Sequence, residues 1–365
     1  MKIIHETEVL VIGAGIIGCT IAYHLARRGM SVTVVDSGSI GEGTSSANMA
    51  LVWVQGKEPA PYMELNLLSA RLHSELAAEF DEDVELRQPG GIIICHDEAQ
   101  FEEKLAVMER FNASCSEYQA RALSVAEVRD REPFVSPDIA GGIYGPHDGH
   151  INPFKFISTV ARLSKSHGTR FILHTPVLQI LRNESGVTGA TTSRGVIRAD
   201  HVVVAAGTAA PELVRPLGVE ISLRFIRGQL LVTARTKPML FHPLHGLRQT
   251  EAGNILIGTT HESVGMDTST TVDAAREIAH GAIRLFPKLR DILIIRQFSG
   301  IRPMPFDKWP FLGQVQSIPG LYISVSHSGV TLAPVYGKVI SDLILDGETA
   351  VPITHCQPER FSEIG

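Results

Sequence analysis

The chain has 365 residues, of which 44% are apolar and 20% are charged, and its formal net charge is −6. This length suggests about two globular domains, and no block of lysines and arginines indicates a nucleic-acid-binding surface. No apolar run is long enough to cross a bilayer, and none of the four cysteines has the C-x-x-C spacing of a zinc or redox pair. We therefore expect a cytoplasmic protein with reduced thiols, and peripheral contact with the inner membrane stays open.

The first predicted element is a buried parallel strand, because residues 9–12 form a short apolar run. Glycines follow at positions 13, 15 and 18, and an apolar helical pattern then continues to Gly29. A second strand over 31–35 ends at Asp36. This order of strand, G-x-G-x-x-G loop, helix, strand and acidic residue predicts a dinucleotide-binding unit.

Each part of this unit has a physical task. Gly13 permits the tight turn, Gly15 lets the backbone approach a pyrophosphate, and Gly18 lets the helix pack closely on the strand. The helix N-terminus offers N–H groups to phosphates, and the Asp36 carboxylate suits a ribose and disfavours a 2′-phosphate. The loop does not separate FAD from NAD, since both carry ADP. The candidate cofactor-binding residues here are Gly13, Ala14, Gly15, Ile16, Ile17, Gly18, Asp36 and Ser37.

A second polar segment, "GEGTSSANMALVW" over 41–53, leads to a helical stretch over 62–80 rather than to a third buried strand. Its small polar residues could line the pyrophosphate and ribityl chain of a larger cofactor. An ordinary helix N-cap region remains the alternative. The candidates in this segment are Thr44, Ser45, Ser46, Ala47, Asn48 and Met49.

The middle of the chain, residues 176–207, alternates strand and turn signals, with Asn-Glu-Ser-Gly as a hairpin turn. We expect a small antiparallel meander inserted into the nucleotide-binding domain. Its last strand runs into Ala-Ala-Gly, where a glycine again suggests close backbone approach. Val177, Ala206 and Gly207 are the candidate cofactor contacts here.

Near the C-terminus, "SHSGVTLAPVYG" over 326–337 predicts a strand, a turn and a helix with Pro334 in its first turn. A nucleophile elbow is excluded, since positions 326 and 330 are not glycine. A metal site is not expected either, because the H-x-x-H pairs at 147–150 and 242–245 lie in Gly/Pro-rich loops. The remaining candidates for cofactor contact are Ser328, Gly329, Val330 and Thr331.

In the order of its motifs, the sequence resembles the FAD-dependent D-amino-acid oxidase (DAO) superfamily, which includes glycine oxidase, sarcosine oxidase and D-amino-acid dehydrogenases. The motifs are "VIGAGIIG", "GTSSAN", "GHINPFKF", "VVVAAGT", "RGQL" and "GIRPMPFDKWPFLG". Within the superfamily, "SHSGVTLAP" is most similar to β subunits of heteromeric opine, proline and hydroxyproline dehydrogenases. Ser326 departs from the glycine of many relatives, which puts the local strand geometry in doubt.

The resemblance implies an α/β (α+β) fold. A Rossmann-like FAD-binding domain would be assembled discontinuously, as in glutathione reductase, from residues 1–80, 141–215 and 305–365. A mixed-sheet substrate domain would use 81–140 and 216–304, with strands in 223–238 and 255–260 and a helix over 271–289. Gly228, in "RGQL", is a further implied cofactor contact.

The resemblance also implies site roles. Arg302 would bind the substrate carboxylate, for which a guanidinium fork is suited; a structural ion pair is the alternative. Arg302 is also a candidate cofactor contact. Asp307 is expected to stabilise its own loop. The helix N-terminus after His327 would face the flavin pyrimidine ring and stabilise charge on the reduced flavin by roughly 1 kcal/mol. His327 is a catalytic candidate, and a turn histidine without catalytic effect is the alternative.

Two departures from the family refine the expectation. "RPMPFDKWP" contains neither Cys nor His, so FAD should be non-covalent, and "NILIGTT" lacks the lysine that promotes reaction with oxygen in some relatives. We therefore expect the catalytic β subunit of a heteromeric dehydrogenase that oxidises an amino, imino or N-substituted amino acid, such as D-hydroxyproline, proline or an opine. Partner subunits that accept the electrons could carry FMN or an iron–sulfur centre. A free-standing peroxide-forming oxidase and a non-catalytic FAD relay subunit stay open.

Overall fold

The computed structural model describes residues 2–361. These fall into two compact units. Unit 1 comprises the described parts of Met1–Ser46, Pro153–Ile226 and Ile301–Gly365, and unit 2 comprises Ala47–Asn152 and Arg227–Gly300.

The strands of the described chain are β1 (Ile3–Ile12), β2 (Val32–Val35), β3 (Leu51–Val52), β4 (Gly91–Cys95), β5 (Arg121–Leu123), β6 (Gly141–Gly145), β7 (Gly149–His150), β8 (Arg170–Ile172), β9 (Val177–Asn183), β10 (Gly186–Thr192), β11 (Gly195–Val204), β12 (Leu223–Thr233), β13 (Leu247–Gln249), β14 (Ile255–Gly258), β15 (Ile294–Pro305), β16 (Phe311–Gln314) and β17 (Leu321–Val325). The α-helices are α1 (Ile16–Arg27), α2 (Ala60–Glu79), α3 (Glu98–Ser114), α4 (Val125–Arg131), α5 (Pro153–Ser166), α6 (Ala210–Val214), α7 (Val272–Leu285) and α8 (Gly329–Leu345).

Unit 1 is built on a mixed sheet of eight strands in the order β16-β17-β11-β1-β2-β8, with β10 and β9 continuing antiparallel from β11. Strands β17, β11, β1, β2 and β8 are parallel to one another, whereas β16 is antiparallel to β17 and β10 is antiparallel to β11. Val11 lies between Val203 and Val34, and all three side chains are fully buried. An apolar run buried on both faces is what a central parallel strand requires.

Helices α1 and α8 pack closely on each other against this sheet. A Cβ on Gly337 of α8 would lie 2.4 Å from the His24 ring of α1, so only glycine allows this approach. Another core of unit 1 lies among the meander, α6 and β17, and includes Ile180, Val214 and Ile323. The predicted meander is confirmed, with its hairpin turn between β9 and β10.

Unit 2 contains three groups of strands, β13-β14-β12-β15, β4-β6-β5 and the pair β3-β7. A parallel bridge between Ile92 and Leu244 joins the first two groups. Helix α7 packs on the sheet through Ile278 and Ala282, in one core with Leu231. The strands and the helix predicted for this mixed sheet are therefore confirmed.

The predicted α/β class and the discontinuous assembly are confirmed. One element detail was wrong, because Pro334 is the sixth residue of α8 and lies inside the helix rather than in its first turn. Residues 47–80 and 141–152 group with unit 2, whereas the sequence placed them in the cofactor domain, and residues 216–226 and 301–304 group with unit 1, whereas the sequence placed them in the substrate domain. Pairing of β3 with β7 ties the segments 47–80 and 141–152 together.

Among the described residues, no helix combines the length and apolarity needed to span a bilayer. Cys19, Cys95 and Cys356 are buried free thiols, and Cys115 is partly exposed. Burial raises the pKa of the Cys19 and Cys356 thiols to about 12.

Candidate functional site

The carboxyl edge of the unit 1 sheet collects most of the candidate residues. Gly13 follows β1, Asp36 follows β2, Ala206 lies just beyond β11, and His327 lies just beyond β17. Because these strands are parallel, their ends meet at one edge of the sheet. From β1 the chain adds β2 and β8 on one side, and β11 and β17 on the other. Such a reversal of strand order opens a crevice in which α/β proteins bind ligands.

The glycine loop needs glycine at two positions for reasons of space. Gly13 has φ +114°, and a Cβ there would lie 2.4 Å from the carbonyl oxygen of Ala205. A Cβ on Gly18 would lie 1.9 Å from the carbonyl oxygen of Gly13. These contacts provide the tight turn and the close helix–strand packing that the motif predicted.

Asp36 is fixed by the loop it faces. Its carboxylate accepts hydrogen bonds from the Ala14 N–H at 2.6 Å and the Gly38 N–H at 2.7 Å. A carboxylate has about four acceptor positions, so others remain for the hydroxyls of a ribose. Ser37 follows as an exposed residue. The Asp36 carbonyl accepts a hydrogen bond from the Thr175 N–H at 2.7 Å. Two residues after Thr175, the half-buried Val177 begins β9.

The N-terminus of α1 has the features of a phosphate site. No acidic residue lies in its first turn, and Gly15 at the N-cap provides no side-chain cap. The Ile16 N–H instead donates to Ser45 Oγ at 3.0 Å. Ile17 packs against the start of α8, since a Cβ on Gly329 would lie 3.4 Å from its Cδ1. The first turn of α1 therefore contributes no negative side chain that would oppose a phosphate at the positive end of the helix dipole.

The polar segment forms a 3-10 turn over Gly43–Ser46. Ser46 Oγ donates to the Gly43 carbonyl at 3.0 Å, and Thr44 Oγ1 donates to the Ile301 carbonyl at 2.8 Å. The residue after Ile301 is the candidate Arg302, so this turn contacts both the N-terminus of α1 and the strand that carries Arg302.

Four of the predicted residues belong to unit 2. Ala47 lies against Gly300, and Asn48 Oδ1 accepts from the Ala50 N–H at 2.7 Å. Met49 lies beside Gly258, where a Cβ would be 3.2 Å from its sulfur. Gly228 is buried in β12. The structure therefore brings these four together with unit 2 elements, and the other candidates with unit 1.

Two further strand ends complete the unit 1 edge. After β11, the Ala205 N–H donates to the Ile12 carbonyl at 2.9 Å, Ala206 packs on the meander core, and Gly207 has φ +54°. After β17, Ser326 is buried and His327 is half-buried, with His327 Nδ1 3.4 Å from Ser328 Oγ.

Helix α8 begins immediately after this histidine. Ser328 is its N-cap and makes no side-chain capping bond, and no acidic residue lies in its first turn. The Leu332 N–H makes the first helical bond, to the Ser328 carbonyl at 2.9 Å. Gly329, Val330 and Thr331 therefore occupy the first turn, whose N–H groups are not used by the hydrogen-bond ladder of the helix. That end suits a negatively charged group.

Arg302 lies near the end of β15 and is half-buried. Burial lowers the pKa of its guanidinium from the usual value, although an arginine stays charged in proteins.

Asp307 lies in the loop that follows β15. Its carboxylate accepts a hydrogen bond from the Arg360 Nε–H at 2.6 Å, which agrees with the loop-stabilising role expected for it.

Sequence reasoning missed a polar network around a buried arginine in unit 2. Arg227 is 4% exposed and bonds Glu262 and Asp267, each at 2.6 Å. Gln229 donates to Glu262 at 2.9 Å. The "RGQL" motif thus anchors the loop that follows β14. Its partners lie 33 to 40 positions away, and no local pattern signals them.

Metal-binding geometry is absent from the part of the chain that the structure describes, where no three His, Cys, Asp or Glu side chains converge. The residues present fit a dinucleotide instead. A glycine loop that excludes a Cβ, an acid-free helix N-terminus and a carboxylate fixed by backbone N–H groups are the parts that hold an ADP moiety.

Comparison with known proteins agrees with this geometry. The family described as "DAO: FAD dependent oxidoreductase" matches residues 8–343. One subunit of the opine oxidase of Agrobacterium tumefaciens (strain Ach5) is 30% identical over 368 residues, which cover 98% of each chain. The crystal structure of glycine oxidase from Geobacillus kaustophilus superposes with a TM-score of 0.92 at 26% identity and covers 98% of this chain and 99% of that one. L-proline dehydrogenase from P. horikoshii shares the fold, with a TM-score of 0.88 at 24% identity and 98% of each chain covered.

Proposed function

The chain belongs to the DAO family of FAD-dependent oxidoreductases, and we propose that it is the catalytic subunit of a heteromeric dehydrogenase. Its substrate is an amino, imino or N-substituted amino acid of the opine, proline or hydroxyproline kind. The observation that carries this proposal is the full-length similarity to a protein named as one subunit of an opine oxidase. The electrons then pass to a partner subunit, which could carry FMN or an iron–sulfur centre.

In this proposal unit 1 is the cofactor domain. Gly13 to Gly18 and Asp36 hold the ADP moiety, and Thr44 to Ser46 line the pyrophosphate side. The first turn of α8 holds the electron-rich edge of the flavin. When bound, FAD supplies the two-electron acceptor. The absence of Cys and His from "RPMPFDKWP" supports non-covalent binding.

Arg302 binds the substrate carboxylate in this proposal. Its guanidinium forms two parallel charge-assisted hydrogen bonds with a carboxylate, which fixes the orientation as well as the position of the adjacent carbon. Half-burial strengthens such a contact because fewer waters compete for it. Orientation of this kind can lower the reaction barrier by several kcal/mol. No side chain is assigned as a general base, since a neutral amine needs none.

His327 is the second catalytic candidate. It lies at the turn before α8, within the same edge as the glycine loop. Its Nδ1 lies 3.4 Å from Ser328 Oγ. The proposal rests first on Arg302 and on the α8 backbone, and His327 is a candidate at the turn between β17 and α8.

A free-standing oxidase is the second candidate function, and the likeness to glycine oxidase supports it. The two functions differ in the fate of the electrons. We would reduce the purified holoenzyme anaerobically with substrate, then mix it with oxygen or with an artificial dye acceptor. Slow reoxidation by oxygen and fast reoxidation by the dye are expected for a dehydrogenase. Fast reoxidation by oxygen with formation of hydrogen peroxide would favour the oxidase.

A further inference from the structure

We propose that Thr44 is a positioning residue that couples binding of the cofactor to binding of the substrate carboxylate at Arg302. The inference deepens the proposed function and rests on the carboxylate role given there to Arg302. It adds that the two binding events stabilise each other through the turn Gly43–Ser46.

The turn has two neighbouring side chains with different long-range partners. Ser45 Oγ accepts from the Ile16 N–H at 3.0 Å, at the N-terminus of α1 where the pyrophosphate is expected. Thr44 Oγ1 donates to the Ile301 carbonyl at 2.8 Å. The contact to the cofactor loop and the contact to the strand of Arg302 are thus made by two adjacent residues.

The same loop makes a further contact with the same strand. A Cβ on Gly300 would lie 2.4 Å from the Ala47 carbonyl oxygen and 2.8 Å from its Cβ. Backbone therefore packs against backbone at this point, without a flexible side chain between them. Residues 300 and 301 contact residues 47 and 44 respectively, so a shift of the loop would disturb the strand.

This arrangement has a thermodynamic consequence. A cofactor that orders the loop also orders the backbone beside Arg302, and a carboxylate that orders Arg302 also orders the loop. By linkage the two effects are equal. If the Thr44 hydrogen bond carries most of the coupling, a carboxylate should strengthen retention of FAD by roughly 2- to 12-fold, which is the range for one net hydrogen bond.

The test uses the holoenzyme and acetate as a simple carboxylate probe. The rate of FAD release after dilution is measured with and without saturating acetate in wild type, Thr44→Val and Thr44→Ser. Wild type and Thr44→Ser, which keep the hydroxyl, should release FAD several-fold more slowly with acetate. Thr44→Val should show much less slowing, because only the contact between Ala47 and Gly300 then joins the loop to the strand. The ratio within each variant is the readout, so a faster release throughout does not affect the comparison. Thr44→Ala replaces it if the valine variant does not fold.

The outcomes separate the two claims. Acetate binding is followed independently through its perturbation of the flavin absorbance, in wild type and in Arg302→Ala. If acetate binds through Arg302 and slows FAD release equally in Thr44→Val and wild type, the coupling is overturned and the carboxylate site stands. If acetate causes no perturbation, or perturbs Arg302→Ala equally, the carboxylate role of Arg302 fails and the coupling fails with it.

Discussion

Gly18 lies where the first turns of α1 cross the glycine loop, and the missing Cβ leaves room for the Gly13 carbonyl oxygen. Gly18→Ala would place a methyl group 1.9 Å from that oxygen. Backbone must then move, and we expect a loss of about 2 to 4 kcal/mol in stability together with loss of FAD. Chemical denaturation and the flavin content of the purified protein measure the two effects.

A matched control exists in α7. Gly281 is an exposed helical residue with no atom within 4 Å of an added Cβ and no positive φ. Gly281→Ala should therefore stabilise the protein by about 0.5 to 1 kcal/mol, since alanine is the better helix former. Destabilisation by both variants to the same degree would contradict the steric account of Gly18.

The role of a residue could be predicted from the sequence where one short segment contains all the residues that act together. Gly13, Gly18 and Asp36 form such a set, because the turn, the packing and the carboxylate lie within one strand–helix–strand unit. Ser45 was named as a candidate, but its hydrogen bond to the Ile16 N–H was not, since 29 positions separate them. The Thr44–Ile301 bond, which spans 257 positions, has no sequence signal at all.

Helix α8 is the element whose end matters most for the flavin chemistry proposed here. Ser328→Asp would place a negative charge at its N-cap, where charge on the reduced flavin is expected to be stabilised. The helix itself should tolerate the change, because aspartate is a favourable N-cap residue. We expect the two-electron reduction potential of the flavin to fall by roughly 5 to 20 mV, which corresponds to the usual strength of a charge at a helix terminus.

Potentiometric titration of the holoenzyme measures this effect, and Ser328→Asn is the neutral control of the same shape. The asparagine variant should stay near the wild-type potential. An unchanged potential in Ser328→Asp, with FAD still bound, would show that the α8 N-terminus does not face the flavin.

Elements could be predicted where periodicity is strong, as for α1, α2, α7 and β17. Helix α8 was expected, but Pro334 was assigned to its first turn because proline is tolerated there. In the structure the helix starts at Gly329, since the Leu332 N–H already bonds the Ser328 carbonyl at 2.9 Å. Strand β1 extends back to Ile3 through partly exposed residues, because long-range pairing with β11 decides its length.

At the scale of the whole molecule, the discontinuous organisation could be predicted only through family resemblance. Unit 1 takes three separate stretches of chain, and their association depends on β11 and β17 joining β1 in one sheet. The segment 47–80 illustrates the limit of sequence reasoning. Its helix α2 was predicted, but the two-residue pairing of β3 with β7 that groups the segment with unit 2 was not.

The central claim is that bound flavin oxidises an amine whose carboxylate is held by Arg302. The most direct measurement is anaerobic stopped-flow reduction of the flavin by a panel of opines, proline and hydroxyproline, in wild type, Arg302→Ala and Arg302→Lys. At least one substrate should reduce the wild-type flavin with saturation. Arg302→Ala should need a substrate concentration roughly 30- to 1000-fold higher, as expected for loss of a bidentate charge-assisted contact, and Arg302→Lys should lie between. Equal concentration dependence in wild type and Arg302→Ala, or a purified protein that binds no flavin, would contradict the account.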